Sequence, residues 1–220
     1  MTNKSYHQFC GIAHSLDTIG DRWTLLAVRN LLLGPKRFSD LMRGLPGIST
    51  NILTERLKLL EERGVVRTRF LAPPAASTVY ELTESGFALA DVLVALARWG
   101  SLTLGAPQAD QAIVDESIGF MTMGLFWRRD KPPFSLTCAL HIRDAGYAHD
   151  FVAQVSPQGT ALEDGTGDAD VHLTLTLEPL SMLSSGRLRL SDAIQQSAVR
   201  ADGTPDAVNQ LIDWVDGRAG

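Results

Sequence analysis

The 220-residue sequence predicts an α+β protein built of two modules. Three observations carry this expectation. Residues 38–84 read as helix, turn, helix and hairpin in that order, and the apolar period changes from 3.6 to 2 beyond about residue 130. Charge divides as well: residues 1–104 hold 12 basic against 9 acidic side chains (+3) and residues 105–220 hold 8 against 16 (−8), together the net −5. The predicted modules are therefore 1–104 and 105–220, each long enough to bury a core of its own.

In chain order, residues 11–19 and 22–33 are helical runs separated by Gly20-Asp21. The second is apolar nearly all round from Trp23 to Leu33, and such a helix belongs at a domain centre. Over residues 38–45, Phe38, Leu41, Met42 and Leu45 share one helical face until Pro46-Gly47 breaks the run. Ser49 is placed to cap a second helix with Ile52, Leu53, Leu57 and Leu60 as its buried stripe, ending at Gly64. Residues 65–71 and 78–83 read as strands joined by a Pro73-Pro74 turn that can continue neither. Two helices across a sharp turn followed by a hairpin make a winged helix-turn-helix, which reads DNA by default. Residues 85–99 form a further helix, apolar at 87, 89, 90, 92, 93, 96 and 99, a stripe wider than a small winged domain needs. The surplus points to a homodimer interface. Residues 100–107 read as a linker.

The second module alternates. Leu136, Cys138, Leu140 and Ile142 lie on one side of a strand over 134–142, and Val171, Leu173, Leu175 and Leu177 do the same over 171–177. Residues 151–155 are a third strand, 158–170 an acidic, glycine-rich turn region, and 180–184, 191–196 and 205–215 short helices. Strands first and helices after predict an α+β layer.

Composition excludes several classes. No run of about 18 apolar residues is apparent and the N-terminus leads into no signal-like segment, so a cytoplasmic protein with no membrane partner is expected. Cys10 and Cys138 fall in different modules and make no disulfide framework, which suits a reducing compartment. Gly-x-Ser-x-Gly, His-Glu-x-x-His, P-loop and dinucleotide fingerprints are missing, which argues against an enzyme; no cofactor and no metal are expected.

The basic excess is local. Lys36, Arg37, Arg43, Arg56, Lys58, Arg63, Arg67 and Arg69 lie in the helix-turn-helix and first wing strand, where a phosphate surface needs them. From Ser49 onward the exposed face of the second helix offers Thr50, Asn51, Thr54, Glu55 and Lys58. Asn51 can pair bidentately with adenine, Thr50 and Thr54 can touch thymine methyls or phosphates, and Lys58 can reach backbone. Lys36, Arg37 and Arg43 are further phosphate candidates. The bland alternative is a solvated helix face on which Ser49 is merely a cap.

Three segments carry a resemblance: residues 9–13 (Phe-Cys-Gly-Ile-Ala), residues 16–26 (Leu-Asp-Thr-Ile-Gly-Asp-Arg-Trp-Thr-Leu-Leu) and residues 34–41 (Gly-Pro-Lys-Arg-Phe-Ser-Asp-Leu). With Leu45 to Ser49, Leu53 to Leu57 and Tyr80 to Gly86, they make the first half similar to the HxlR-type winged helix-turn-helix regulators, and this implies a homodimeric bacterial transcription regulator. The wing tip, residues 72–78, lacks the basic residue common in that family, so Arg67 and Arg69 are the cations left to reach DNA from the wing. The resemblance also implies a sensor thiol at Cys10, although Gly11 stands where proline is common. His7, Cys10 and His14 fall at i, i+3 and i+7; an imidazolium beside the thiol would favour the thiolate, and the same trio could hold a soft metal, though no fourth ligand is visible. The alternative is that Cys10 is a small buried hydrophobe.

Residues 168–175, Leu183-Ser184-Ser185-Gly186-Arg187-Leu188 and residues 202–207 resemble the sterol-carrier-protein fold. That implies an apolar tunnel between sheet and helices holding a hydrophobic small-molecule effector. Phe120, Trp127, Phe134, Tyr147, Phe151 and Trp214 are aromatic and could line it, or could simply be core. The combined expectation is a homodimeric, sequence-specific regulator of double-stranded DNA, modulated by a hydrophobic molecule or by Cys10 oxidation. The rival is a hydrophobic-ligand carrier whose winged domain mediates protein association.

Overall fold

A computed structural model describes residues 5–74, 76–104, 115–127 and 131–217; Ala75 of the expected wing tip and residues 105–107 of the expected linker lie outside these. The fold is mixed α+β, and its packing separates Met1–Leu93 from Val94–Gly220.

In the first unit, α1 (Gly11–Ile19) ends at Gly20, where a side chain would place its Cβ 2.5 Å from the Leu16 carbonyl oxygen. The nearly all-apolar run becomes α2 (Thr24–Leu32), which buries Ala27, Val28, Leu31 and Leu32 as its composition requires. It also buries Asn30 completely. The Asn30 amide donates to the Gly44 carbonyl at 3.2 Å, and its oxygen accepts from Arg29 Nε at 2.9 Å and Nη2 at 2.8 Å. Gly44 closes α3 (Phe38–Arg43), so a side chain of α2 satisfies a carbonyl at the end of the first helix of the pair. At the other end of α3 the Asp40 carboxylate accepts from the Arg37 backbone N–H at 3.1 Å. The second helix of the pair is α4 (Thr50–Glu62), capped by Ser49, whose hydroxyl oxygen accepts from the Ile52 N–H at 3.3 Å.

Gly64, at φ +68°, turns the chain into β1 (Val66–Leu71), antiparallel to β2 (Ser77–Leu82) with Arg67 opposite Glu81. Lys36 adds a short bridge to this hairpin through paired backbone bonds with Tyr80. Alternation puts Arg67, Arg69 and Glu81 on one face, where both guanidinium groups donate to the Glu81 carboxylate at 2.8 Å. Arg69 first, and then Arg67, hold that carboxyl below the usual carboxylate range against the opposing effect of burial. Thr83 caps α5 (Glu84–Phe87); a side chain at Gly86 would collide with the Val65 carbonyl, so only glycine lets α5 lie this close to the start of β1.

The next helix, α6 (Leu89–Leu104), runs five residues past the expected end and through most of the expected linker, because Gly100 is tolerated inside it. Contrary to the sequence reading, the stretch Glu84–Leu104 is long and apolar enough, by length and composition, to cross a membrane, with a mean hydropathy of 1.5 over an 18-residue window. The interruptions at Asp91 and Arg98 hide it from a search for an unbroken apolar run.

In the second unit, α7 (Asp115–Phe126) is an additional helix that the sequence reading missed, and it is buried on almost every side. The sheet holds β3 (Leu136–Asp144), β4 (Tyr147–Ser156), β5 (Gly159–Asp164), β6 (Val171–Leu175) and β7 (Val199–Gly203) in the order β5-β4-β3-β6-β7. Only β3 and β6 pair in parallel. Residues 158–170 are therefore not all turn, since β5 forms within them, and β7 follows α8 (Leu177–Ser184) and α9 (Leu190–Gln195), so strands do not all precede helices. The chain closes with α10 (Pro205–Asp216), capped by the Thr204 hydroxyl with Pro205 in the first turn. Cys138, Leu140, Phe151, Leu173 and Leu180 are among the side chains that fill the core between sheet and helices. Burial pushes the Cys138 thiol far above its ordinary value, which makes it structural rather than reactive.

Two expected outcomes follow for the first unit. Asn30→Ala removes the shorter of the two bonds to the Gly44 carbonyl, leaving only Arg29 Nη2 at 3.4 Å, and destabilises the first unit by about 1–3 kcal/mol, read by denaturant unfolding; a loss near zero contradicts the pinning role of Asn30. A folded-state Glu81 pKa below its unfolded value stabilises the wing above the ordinary carboxylate range, and this gain disappears as pH falls through the folded value. The thermal midpoint of the wild type thus exceeds that of Glu81→Gln at pH 7, and the difference narrows as pH falls below about 4 and closes below the folded value; a difference that does not change with pH contradicts the assignment.

Candidate nucleic-acid interface

The rotation of α4 about its own axis decides which side chains it exposes. Leu53, Leu57 and Leu60 are 0%, 2% and 0% exposed, whereas Ile52, expected in the same stripe, is 37% exposed. The 3.6 period explains the difference: 53, 57 and 60 share a face, and 52 lies 100° away on its flank. Gly47, at φ +89°, makes the turn into this helix while Leu45 and Ile48 anchor it in the core. Arg56, counted among the basic residues of this region, instead pairs with Asp21 ahead of α2 and lies 3.8 Å from Glu55. It acts as a structural tie.

What α4 leaves outward is Thr50, Asn51, Thr54 and Lys58, all exposed, with Glu55 partly so. Thr54 Oγ1 donates to the Thr50 carbonyl at 2.8 Å, which leaves its methyl and oxygen lone pairs to face solvent. Lys58 lies 3.8 Å from Glu62 with its side chain 76% exposed, so its charge remains available. Ser49, committed as the cap, holds the start of this face rather than a free hydroxyl. Around it, Arg43 is exposed and paired with Asp40 at 2.7 Å, Arg37 is exposed at the start of α3, and Lys36 sits at the wing through its backbone bridge. Arg67 and Arg69 are the expected cations whose charge is most committed, since Glu81 bridges both. Asn30 and Glu81 were not singled out by sequence. A polar residue inside an all-apolar helix, and an acid alternating opposite two arginines, are the signals that could have found them.

Cys10 is exposed at the N-cap of α1. The backbone amides of Ala13 and then Ile12 hold its thiol below its ordinary value, so the cause is the helix N-terminus and not an imidazole. His14 is also exposed and donates its backbone N–H to the Cys10 carbonyl at 2.9 Å. His7 has a φ of +51° and precedes the helix, so the expected His7, Cys10, His14 face does not extend that far back. Among the described residues no cluster of three or more His, Cys, Asp or Glu is arranged to hold a metal ion.

The six aromatic residues expected to line a tunnel are dispersed. Phe134 and Trp214 meet edge to face at 5.9 Å beside an open polar groove with Asp206 and Asp213. Phe151 is core and stacks obliquely on His149, which in turn lies parallel to Tyr147. Phe120 lines a separate cavity beside α7, and Trp127 is half-buried just past the end of that helix.

The HxlR-like helix-turn-helix family matches residues 18–107 of this chain. The HTH-type transcriptional regulator YvaP of Bacillus subtilis (strain 168) is 38% identical over 87 residues, 40% of this chain and 81% of YvaP. YodB of the same organism, also an HTH-type transcriptional regulator, is 38% identical over 81 residues, 37% of this chain and 72% of YodB. A solved structure of quinone-bound YodB shares 34% identity, covering 43% of this chain and 99% of YodB at a TM-score of 0.37. These relatives are regulators, a non-enzymatic role. With helix, turn, helix and wing in order, and with most of YvaP matched at this identity, the chain belongs to the HxlR-like helix-turn-helix family of DNA-binding transcriptional regulators.

Proposed function

We propose that the protein is a cytoplasmic homodimer that binds a roughly palindromic operator through α4 of each copy, with residues 105–220 as a sterol-carrier-like domain that answers to a hydrophobic small molecule. The observation that carries the DNA reading is the polar face of α4. Thr50, Asn51, Thr54 and Lys58 stand outward from a helix whose opposite face is sealed by Leu53, Leu57 and Leu60. Asn51 reads a base edge, the threonines meet methyls or phosphates, and Lys58, Arg43, Arg37 and Lys36 hold the backbone. Arg67 and Arg69 reach phosphate only in competition with Glu81.

Two apolar surfaces support the dimer. On α1 and just before it, Phe9 and Ile12 are exposed; on α6, Val92, Leu96, Trp99 and Leu102 are exposed. Side chains of this size left in water on two helices belong against a second copy. Cys10 lies between Phe9 and Ile12, so oxidation or addition of an electrophile at its activated thiol would act on the same surface.

On DNA selected by the purified protein from a random library, Asn51→Ala costs about 1–3 kcal/mol and relaxes preference at one position of each half-site, while Lys58→Ala weakens all sequences alike and lowers the salt slope by about 1. Both are read by titration at stated salt; unchanged affinity in both variants moves the interface away from α4. For the thiol, mild oxidation by diamide releases the wild type from this DNA and leaves Cys10→Ser bound. Equal release of the two proteins removes Cys10 from the mechanism.

A further inference from the structure

Helix α6 has two unlike faces. Val92, Leu96, Trp99 and Leu102 point to solvent, whereas Val94, Arg98 and Ser101, at i, i+4 and i+7, line a cavity of about 270 Å³ within the second unit. Phe120 and Met121 of α7 and Ser184 of α8 complete its walls. The space exists because small residues meet there. A Cβ built on Gly100 touches nothing within 4 Å, and one built on Gly124 reaches only Ser184 Cβ, at 3.8 Å. The cavity is open to solvent on one side, where Ala97, Arg98 and Leu104 are exposed, so a ligand can enter it and take apolar wall out of water.

The chemistry of the walls narrows the occupant. Three of the four lining serine hydroxyls are turned back on nearby backbone: Ser101 donates to the Arg98 carbonyl at 2.8 Å, and Ser184 and Ser185 donate to the Ser181 carbonyl at 3.1 and 2.7 Å. The Ser101 carbonyl is likewise occupied, accepting from Arg187 Nη1 at 2.8 Å. The cavity therefore presents mostly hydrocarbon, with Arg98 the cation in its lining and Arg187 held on the Ser101 carbonyl. Arg98 is exposed and forms no ion pair among the described residues. A dry cavity of about 150 Å³ admits benzene, so this larger one has room for a fused pair of rings. We infer that it binds a small amphipathic carboxylate, its apolar body between α6, α7 and α8 and its carboxylate on Arg98. The inference rests on the reading that the second unit answers to a small molecule, and adds to it a position and a ligand class. Occupancy bears on the face of α6 opposite the exposed stripe, which gives a ligand a route to the dimer surface.

Calorimetric titration of the full-length protein with 1-naphthoate and with the neutral 1-naphthalenemethanol tests this. The acid binds about tenfold tighter than the alcohol, Arg98→Gln removes that preference while leaving alcohol binding unchanged, and Gly100→Leu abolishes both. Should Gly100→Leu melt early, Met121→Trp fills the cavity from the facing helix and gives the same loss. No heat from either probe with folded protein, equal affinity for acid and alcohol, or a preference that survives Arg98→Gln overturns the inference. DNA retention by the same preparation without probe is recorded alongside, so failure of the cavity and failure of the regulator reading are told apart.

Discussion

Burial of Leu53, Leu57 and Leu60 is the constraint on which the rest of the proposed DNA-facing surface depends. Three leucines removed from water contribute roughly 1.5–3 kcal/mol each, far more than any exposed ion pair on the same helix, so they set its rotation and leave the polar residues whatever face remains. The helix before it is held differently. A completely buried Asn30 spends its amide on the Gly44 carbonyl and its oxygen on Arg29, so α3 is tied to α2 by hydrogen bonds whose loss would strand polar groups in the core. Gly20 and Gly86 complete the frame, since at each a side chain would strike a backbone carbonyl.

Charge in the first unit does two jobs. Arg56 is spent on Asp21, and Arg67 and Arg69 share Glu81, so part of the cationic excess builds the fold rather than a phosphate surface. Lys58 and Arg43 remain exposed with local partners that phosphate can displace, and Arg37 is exposed and forms no ion pair among the described residues. The second unit uses some of its acidic residues in helix caps and strand-edge pairs: Asp144 accepts from the Leu177 N–H at 2.9 Å and Asp216 caps the start of α9. Part of its negative charge thus has a structural use.

Much of this was legible in the sequence, and the failures have physical reasons. Capping by Ser49, the glycine stop at Gly64 and the alternation of β3 and β6 are local rules, and they predicted elements close to those observed. Helix α7 was missed because it is buried nearly all round and has no amphipathic period to detect. Strand β5 was hidden by its acidic and glycine-rich neighbours, and the parallel pairing of β3 with β6 is a tertiary fact that no local pattern contains. At the candidate site, the outward residues of α4 could be read from periodicity, with Ile52 the error of one flank position. The partners of Arg56, Arg67 and Arg69 could not, because ion pairing across 12 to 35 residues depends on the fold.

The central claim is that two copies place α4 in successive major grooves of one operator. Its most direct measurement is cleavage of selected DNA by an iron chelate attached at Thr50→Cys in a Cys10→Ser background, with hydroxyl radicals cutting only nearby sugars. Two symmetric clusters of cuts about 34 Å apart, flanking the major groove of each half-site, are the expected result. A single cluster, or cutting spread evenly along the duplex, would contradict paired insertion of α4.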